Sequence, residues 1–231
     1  QQDFIDTPRL GTLNLHASLL PKYRGASPIQ TSIASGESET GVSLMRIVRE
    51  LDAGPVADCE PVDISATDTA LEIESKLASV CLPLLARNLP KLGGAGLLFV
   101  EQDKSRATYC RRLIKADGVL DFHTTAQHLA ARINGLYPWP TCTMPLQDQT
   151  VKLGLADVVP GMAGPGEVVG SDPEGLLIGT GMELLRIRKL QRPGGRMLSA
   201  GEFLRGLRVS PGVIIPSVPM PKLVSDTPFG R

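Results

Sequence analysis

The sequence has no apolar run approaching the roughly 18 residues of a membrane-spanning helix, and no basic segment leads into a hydrophobic stretch near its start. Neither a membrane span nor a secretory signal is expected. The four cysteines, Cys59, Cys81, Cys110 and Cys142, lie far apart, with no Cys-x-x-Cys pair and no close histidine. Zinc and redox-motif readings therefore lack support, no metal is expected, and reduced thiols in a cytosol-like compartment fit best. Net charge is also lacking: 24 Lys and Arg balance 24 Asp and Glu, so no global field draws the chain to nucleic acid or membrane. Internal repeats and long low-complexity segments are absent as well. What is present is 231 residues at 42% hydrophobic content, enough for one good core or two small ones. The charges are uneven along it. Residues 1–100 carry eight basic and twelve acidic side chains, residues 101–231 sixteen and twelve, so an anionic partner should favour the second half.

Residues 12–16 read as a short buried strand that runs into a Pro/Gly/Ser-punctuated loop over 18–27, with Pro28 a further break in regularity. Residues 41–48 and 56–64 are two more strand candidates, and the loop between them holds Asp52 and Gly54. Thr69 and Glu72 have capping-box spacing ahead of Ile73, Leu77, Val80, Leu84 and Leu85 at helical intervals, with Pro83 expected to kink the helix. Three glycines in four residues from Gly93 onward mark a connection, and a domain boundary is placed near Ala107. Beyond it, residues 124–135 form an amphipathic helix candidate ending at Gly135, followed by the rigid corner Tyr137-Pro138-Trp139-Pro140. Short apolar segments at 141–146, 151–159, 166–169, 175–179 and 183–190 predict a small antiparallel barrel. Residues 199–207 add a short helix capped by Ser199, and the proline-rich tail after Ser210 is expected to be loosely ordered.

One constellation carries chemistry. Asn14 and His16 are one residue apart on a predicted strand, so both side chains point to the same face. A carboxylate on a loop at a neighbouring strand end, Asp52 followed by Gly54, completes a trio able to polarise a carbonyl, stabilise an oxyanion and manage a proton. That is acyl-transfer chemistry. A lone Asn-x-His arises easily by chance, however, and a single histidine is more often structural than catalytic.

The surrounding string is more specific. Asn14-x-His16, Ser18-Leu19-Leu20-Pro21 running into Arg24-Gly25, and Asp52-x-Gly54 together resemble the folate-dependent formyltransferases. In the second half, Tyr137-Pro138-Trp139-Pro140, the segment from Leu185 to Gln191, Pro193-Gly194 and the 199–204 helix resemble the C-terminal domain of the methionyl-tRNA formyltransferase branch. The resemblance implies an α/β fold: a partial Rossmann-like formyltransferase domain over 1–107, then a linker and a small OB-like β-barrel over 108–231 that binds tRNA. It implies transfer of a formyl group from 10-formyltetrahydrofolate to the α-amine of methionine on initiator tRNA, in translation initiation. Asn14 would donate to the formyl oxygen, His16 would stabilise the developing charge, and Asp52 would keep that imidazole protonated or oriented. Ser18, Leu19, Leu20, Pro21, Arg24, Gly25 and Gly54 would shape the substrate and folate cleft.

Between Arg186 and Arg208 lie seven basic residues and one acidic, which suits a phosphate-tracking surface made of Arg186, Arg188, Lys189, Arg192, Arg196, Arg205 and Arg208. The plainer reading is a solvated barrel face. Initiator methionyl-tRNA and the folate donor are the expected partners, with no membrane, no DNA and a monomeric state; the compartment would be bacterial cytoplasm, or an organelle matrix in a eukaryote. Ala17 stands where relatives commonly have Gly or Pro, a tolerable change. Relatives also carry a sizeable segment ahead of Asn-x-His where this sequence, beginning Gln1-Gln2, has thirteen residues, so an N-terminally truncated chain with weak folate binding is expected. Two alternatives stay open: a non-catalytic tRNA-binding remnant, and a formyltransferase for a small-molecule amine.

Overall fold

Two short strands, β1 (Leu13–His16) and β2 (Arg24–Gly25), flank the loop 17–23, and a helix, α1 (Pro28–Ala34), follows directly. These come from a computed structural model that describes residues 3, 5, 7–93 and 96–230; Gln1-Gln2 and the centre of the glycine-rich stretch, 94–95, lie outside the described residues. The helix was not foreseen. Pro28, read as a break, instead occupies its first turn, where a missing N–H costs nothing and the fixed φ suits helix entry.

Next come β3 (Glu39–Arg46) and β4 (Val56–Asp63), giving a sheet ordered β1-β3-β4. Both pairings are antiparallel, with Asn14 opposite Met45 and His16 opposite Ser43. The parallel order of a Rossmann-like sheet therefore does not extend to these strands. A nine-residue connection such as 47–55, without a helix, lets β4 return only alongside β3 in the opposite sense. The sheet is backed by α2 (Ala70–Asn88), which opens on the foreseen capping box of Thr69 and Glu72 and continues through Pro83. Its buried stripe, Ile73, Leu77 and Leu84, meets Val42, Leu44, Val62 and Ile33 of α1 in a first core.

The chain then contributes β5 (Tyr109–Cys110) and α3 (Ala126–Leu136). Gly135 does not end α3 but lies inside it. There a Cβ would come within 2.5 Å of the Ala34 nitrogen, so its absence is what lets α3 lie against α1. Asn134 docks the same helix on the following sheet, its amide exchanging two 2.9 Å hydrogen bonds with the backbone of Ala156. That sheet holds β6 (Cys142–Leu146), β7 (Gln149–Val159), β8 (Val168–Ser171), β9 (Leu176–Gly179), β10 (Leu184–Gln191) and β11 (Met197–Ser199). Its order is β6-β7-β10-β9-β8, with β11 on β10 and every pairing antiparallel. The expected barrel is thus a curled half-barrel whose inner face forms the second, larger core. The helix α4 (Ala200–Arg205) closes one end, with Ser199 and Glu202 as its capping box and Phe203 in the core.

The tail reverses expectation. Ile215 and Leu223 are 2% and 6% exposed, and Ile215 and Val218 donate backbone hydrogen bonds to Gly166 and Leu120. The tail then forms β12 (Val224–Ser225), which pairs antiparallel with β5, while β5 pairs parallel with β2. Proline suits such a strap, because it fixes an extended backbone that has few ladder donors to satisfy. Among the described residues no helix is long and apolar enough to cross a membrane.

Candidate active site

The alternation of β1 sends Asn14 and His16 to one face, and the 47–55 loop brings Asp52 to the same place. Nδ1 of His16 lies 3.0 Å from Oγ of Ser18, whose hydroxyl donates to the Lys22 carbonyl at 2.7 Å. That hydroxyl has one proton and has committed it, so its oxygen must accept from His16; the proton on Nδ1 is thereby fixed. Nε2 then faces Asp52, 3.2 Å from Oδ2. The separation is that of an ion pair, but the direction is not that of an in-line N–H hydrogen bond; with Nδ1 already a donor, buried Nε2 can donate to another acceptor only in the doubly protonated, imidazolium form that an adjacent carboxylate favours. Asn14 is half-buried, and its side-chain amide has no hydrogen-bond partner among the described residues.

Asp52 sits in the left-handed region at φ 48°, which Asp tolerates better than most residues. Its Oδ2 also accepts the Gly25 N–H at 2.8 Å. Burial by itself would raise the carboxyl, but contact with His16, the Gly25 amide and the Arg24 charge outweigh it and hold the group below the ordinary carboxylate value. Two glycines are required by space. A Cβ on Gly54 would lie 1.8 Å from the Arg46 carbonyl oxygen, and one on Gly25, at φ 118°, would lie 2.1 Å from the Cys110 carbonyl oxygen.

Arg24 is 1% exposed. Its Nε and Nη2 donate to Oε1 of Gln102 at 3.1 and 2.7 Å, and Nη1 lies 3.6 Å from Glu50. Gln102 in turn donates from Nε2 to the carbonyls of Asp52 and Gly54, at 2.8 and 2.7 Å. Of the predicted cleft residues, Leu19, Leu20 and Pro21 line a cavity of about 330 Å³ with Glu37–Thr40. Ser18, Arg24, Gly25 and Gly54 act instead as scaffold for the trio. A larger cleft of about 400 Å³, between residues 64–68 and α3, includes none of Asn14, His16 or Asp52.

Sequence reasoning missed Gln102 and Ser43. Ser43 clamps the Ser18 loop by donating to the Ser18 carbonyl at 2.7 Å and accepting from the Leu20 N–H at 3.0 Å. Neither has a motif signature, and Ser43 becomes meaningful only once its register opposite His16 is known. The predicted basic surface divides. Arg186 and Arg188 are engaged with Asp157 and Glu174, and Arg186 also with Asp172. Arg192 lies 5.1 Å over the Phe203 ring. Lys189, Arg196, Arg205 and Arg208 are exposed, with no ion pair among the described residues. Also among them, no group of three or more His, Cys, Asp or Glu is arranged to hold a metal ion.

The chain matches known proteins along most of its length. Residues 1–88 match the formyl transferase family and residues 112–208 the formyl transferase C-terminal domain. The chain belongs to the formyltransferase family. Its branch is that of the methionyl-tRNA formyltransferases: it is 42% identical over 211 residues to the one from Gluconobacter oxydans and 39% over 209 to that from Methylobacillus flagellatus. Each match takes in 90% of this chain and 67% and 68% of the relative, so the chain spans about two thirds of the length of these proteins. In fold it is similar to an N-formyltransferase from Helicobacter canadensis, solved with folinic acid and dTDP-3-aminofucose. The TM-score is 0.64 at 20% identity, over 76% of this chain and 65% of that one. HypX from Aquifex aeolicus, solved with tetrahydrofolic acid, matches at TM-score 0.62 and 18% identity over 84% of this chain and 34% of its own. The family expected from the motifs, and the α/β half followed by a β half-barrel, are thereby borne out.

Proposed function

We propose that Asn14, His16 and Asp52 form a formyl-transfer site that moves the formyl group of 10-formyltetrahydrofolate to the α-amine of methionine on initiator tRNA. The observation that carries this is the position of Asp52, 3.2 Å from His16 Nε2 and capped by the Gly25 amide at 2.8 Å, with the half-buried Asn14 on the same strand face as His16. In this reading the amine attacks the formyl carbon while Asn14 and His16 donate to the oxygen as it gains charge. One such donor contributes about 2.7–4 kcal/mol to lowering the barrier. The amine proton passes toward Asp52, which is held ionised; the carbon–nitrogen bond to the folate then breaks as that proton is delivered to the departing nitrogen, releasing tetrahydrofolate and leaving Asp52 ionised again. The folate bound by solved neighbours and the names of the curated relatives support the two substrates. Bacterial relatives support a cytoplasmic site of action.

The tRNA surface is best assigned to Lys189, Arg196, Arg205 and Arg208, with Arg192 beside them, because their charge is not neutralised by carboxylates in the way that of Arg186 and Arg188 is. The test is formylation of methionyl initiator tRNA by the purified chain and by His16→Ala and Asp52→Asn. Each substitution should lower kcat by about 10²-fold or more. Turnover unaffected by both changes would exclude this site.

A further inference from the structure

Gln102 uses all of its hydrogen-bonding capacity at the base of the site. Its amide oxygen accepts two N–H groups of Arg24, at 3.1 and 2.7 Å, and its amide nitrogen donates to the Asp52 and Gly54 carbonyls, at 2.8 and 2.7 Å. It comes from a segment distant from every motif that makes the site. An unrelated side chain that happened to pass the loop would not be expected to satisfy both carbonyls flanking Ala53 and two N–H groups on one edge of a buried guanidinium at once.

Both branches of the contact lead to one residue. Arg24 precedes Gly25, whose N–H is donated to Asp52 Oδ2, and the Asp52 carbonyl is held at the other end of the same residue. Asp52 is therefore fixed at its backbone by Gln102 and at its carboxylate by a segment that Gln102 also fixes. The left-handed φ of 48° at Asp52 is a conformation that surrounding contacts have to impose, and these two carbonyl contacts are well placed to impose it. The other partners of Arg24 are looser: Glu50 lies at 3.6 Å and is 55% exposed and solvent-screened, and the Tyr109 hydroxyl accepts from Nη1 at the long distance of 3.4 Å.

We infer that Gln102 is a positioning residue of the formyl-transfer site, a four-way bridge that locks the Asp52 loop to Arg24-Gly25 and so sets the distance between Asp52 and His16. The inference rests on the function just proposed for the trio. Gln102 itself touches no reacting atom, and its effect is exerted through Asp52.

The experiment uses the full chain with Gln102→Met, which removes all four hydrogen bonds at similar volume, and Gln102→Glu, which keeps an acceptor for Arg24 but loses both donors. Formylation kinetics should show kcat lowered about 10–100-fold, with KM for tRNA and for the folate donor within about threefold. In an Asp52→Ala background the Gln102→Met change should cost less than about threefold more, since the residue through which it acts is gone. Amide hydrogen exchange supplies a readout that needs no activity: the Gly25 N–H should exchange about tenfold faster in both variants, while Ile73 in α2 keeps its rate. A kcat within about threefold of the unchanged protein, additive losses with Asp52→Ala, or unaltered Gly25 exchange would each overturn the inference. Normal Gly25 exchange in Gln102→Glu alone would do so too, by showing that the Arg24 contact suffices without the carbonyl bonds. Should the unchanged chain fail to formylate tRNA, the functional reading falls by itself, and Gly25 exchange still decides whether Gln102 holds the Asp52 loop.

Discussion

Replacing Gly54 by Ala tests how tightly the carboxylate of the site is placed. The added Cβ would start 1.8 Å from the Arg46 carbonyl oxygen, and side-chain carbons do not approach backbone oxygens closer than 3.0 Å, so the loop has to retreat by more than 1 Å. The Arg46 carbonyl belongs to the paired strand β3, which makes the 47–55 loop the part that yields. Asp52 is two residues away, and the Gly54 carbonyl is itself held by Gln102 at 2.7 Å, so retreat strains that contact as well. Moving Oδ2 away from its 3.2 Å separation from His16 by about 1 Å is the scale of misplacement that lowers rate about 10²-fold. The first core lies elsewhere, so unfolding should remain cooperative. Steady-state formylation with a parallel thermal melt measures both: kcat should fall about 10²-fold with a cooperative transition retained. A kcat within about threefold of the unchanged protein would refute the claim that the position of this loop limits turnover.

Other outcomes follow from the same structure. Leu223→Ala in the strap should destabilise the protein by about 2–5 kcal/mol in urea titration, as expected for a buried leucine, and a change under about 0.5 kcal/mol would mean the strap is not docked. Asp58 is held down to about 2, first by its hydrogen bond to Arg87 and then by Asn88, so its stabilising contribution is present above the ordinary value of 3.8 and fades as pH falls toward 2. The difference in urea midpoint between the unchanged protein and Asp58→Asn should accordingly be present at pH 5 and shrink by pH 2; a constant gap contradicts the assignment. Arg205→Gln and Arg208→Gln should each reduce the salt slope of tRNA binding by roughly 0.7–0.9, whereas Arg186→Gln should leave the slope alone and lower stability, because its charge is spent on Asp157 and Asp172. Equal slopes for all three would dissolve that distinction.

The legible parts of this fold are those whose physics is local. The capping boxes at Thr69 and Ser199 declare themselves within four residues, and both start helices where expected. The apolar segments of the second half map onto β6 to β10 because each has one face in the core. The proposed site is partly legible for a related reason: Asn14 and His16 share a face through strand alternation, and the structure brings Asp52 to within 3.2 Å of His16. What was not legible depends on partners far off in sequence. The strands β2, β5 and β12 have two residues each, too short for any periodicity, and exist because residues near 24, 109 and 224 meet. Arg186 and Arg188 looked like part of a basic surface because their countercharges, Asp157, Asp172 and Glu174, come from other strands and a turn of the same half-barrel. Gln102 carries no local signal at all.

The meeting of residues 24, 109 and 224 has a consequence for how the molecule is made. A nascent chain leaves the ribosome with Arg24-Gly25 first and Val224 last, so the small sheet behind the site lacks its outer strand until nearly the whole described sequence has been synthesised. The first core, by contrast, is complete once Leu84 has emerged. Order in which the parts become available thus runs from scaffold to site: a ribosome-bound or prematurely terminated product can hold Asn14 and His16 on their strand without the full support beneath Gly25, and that support arrives only with the strap.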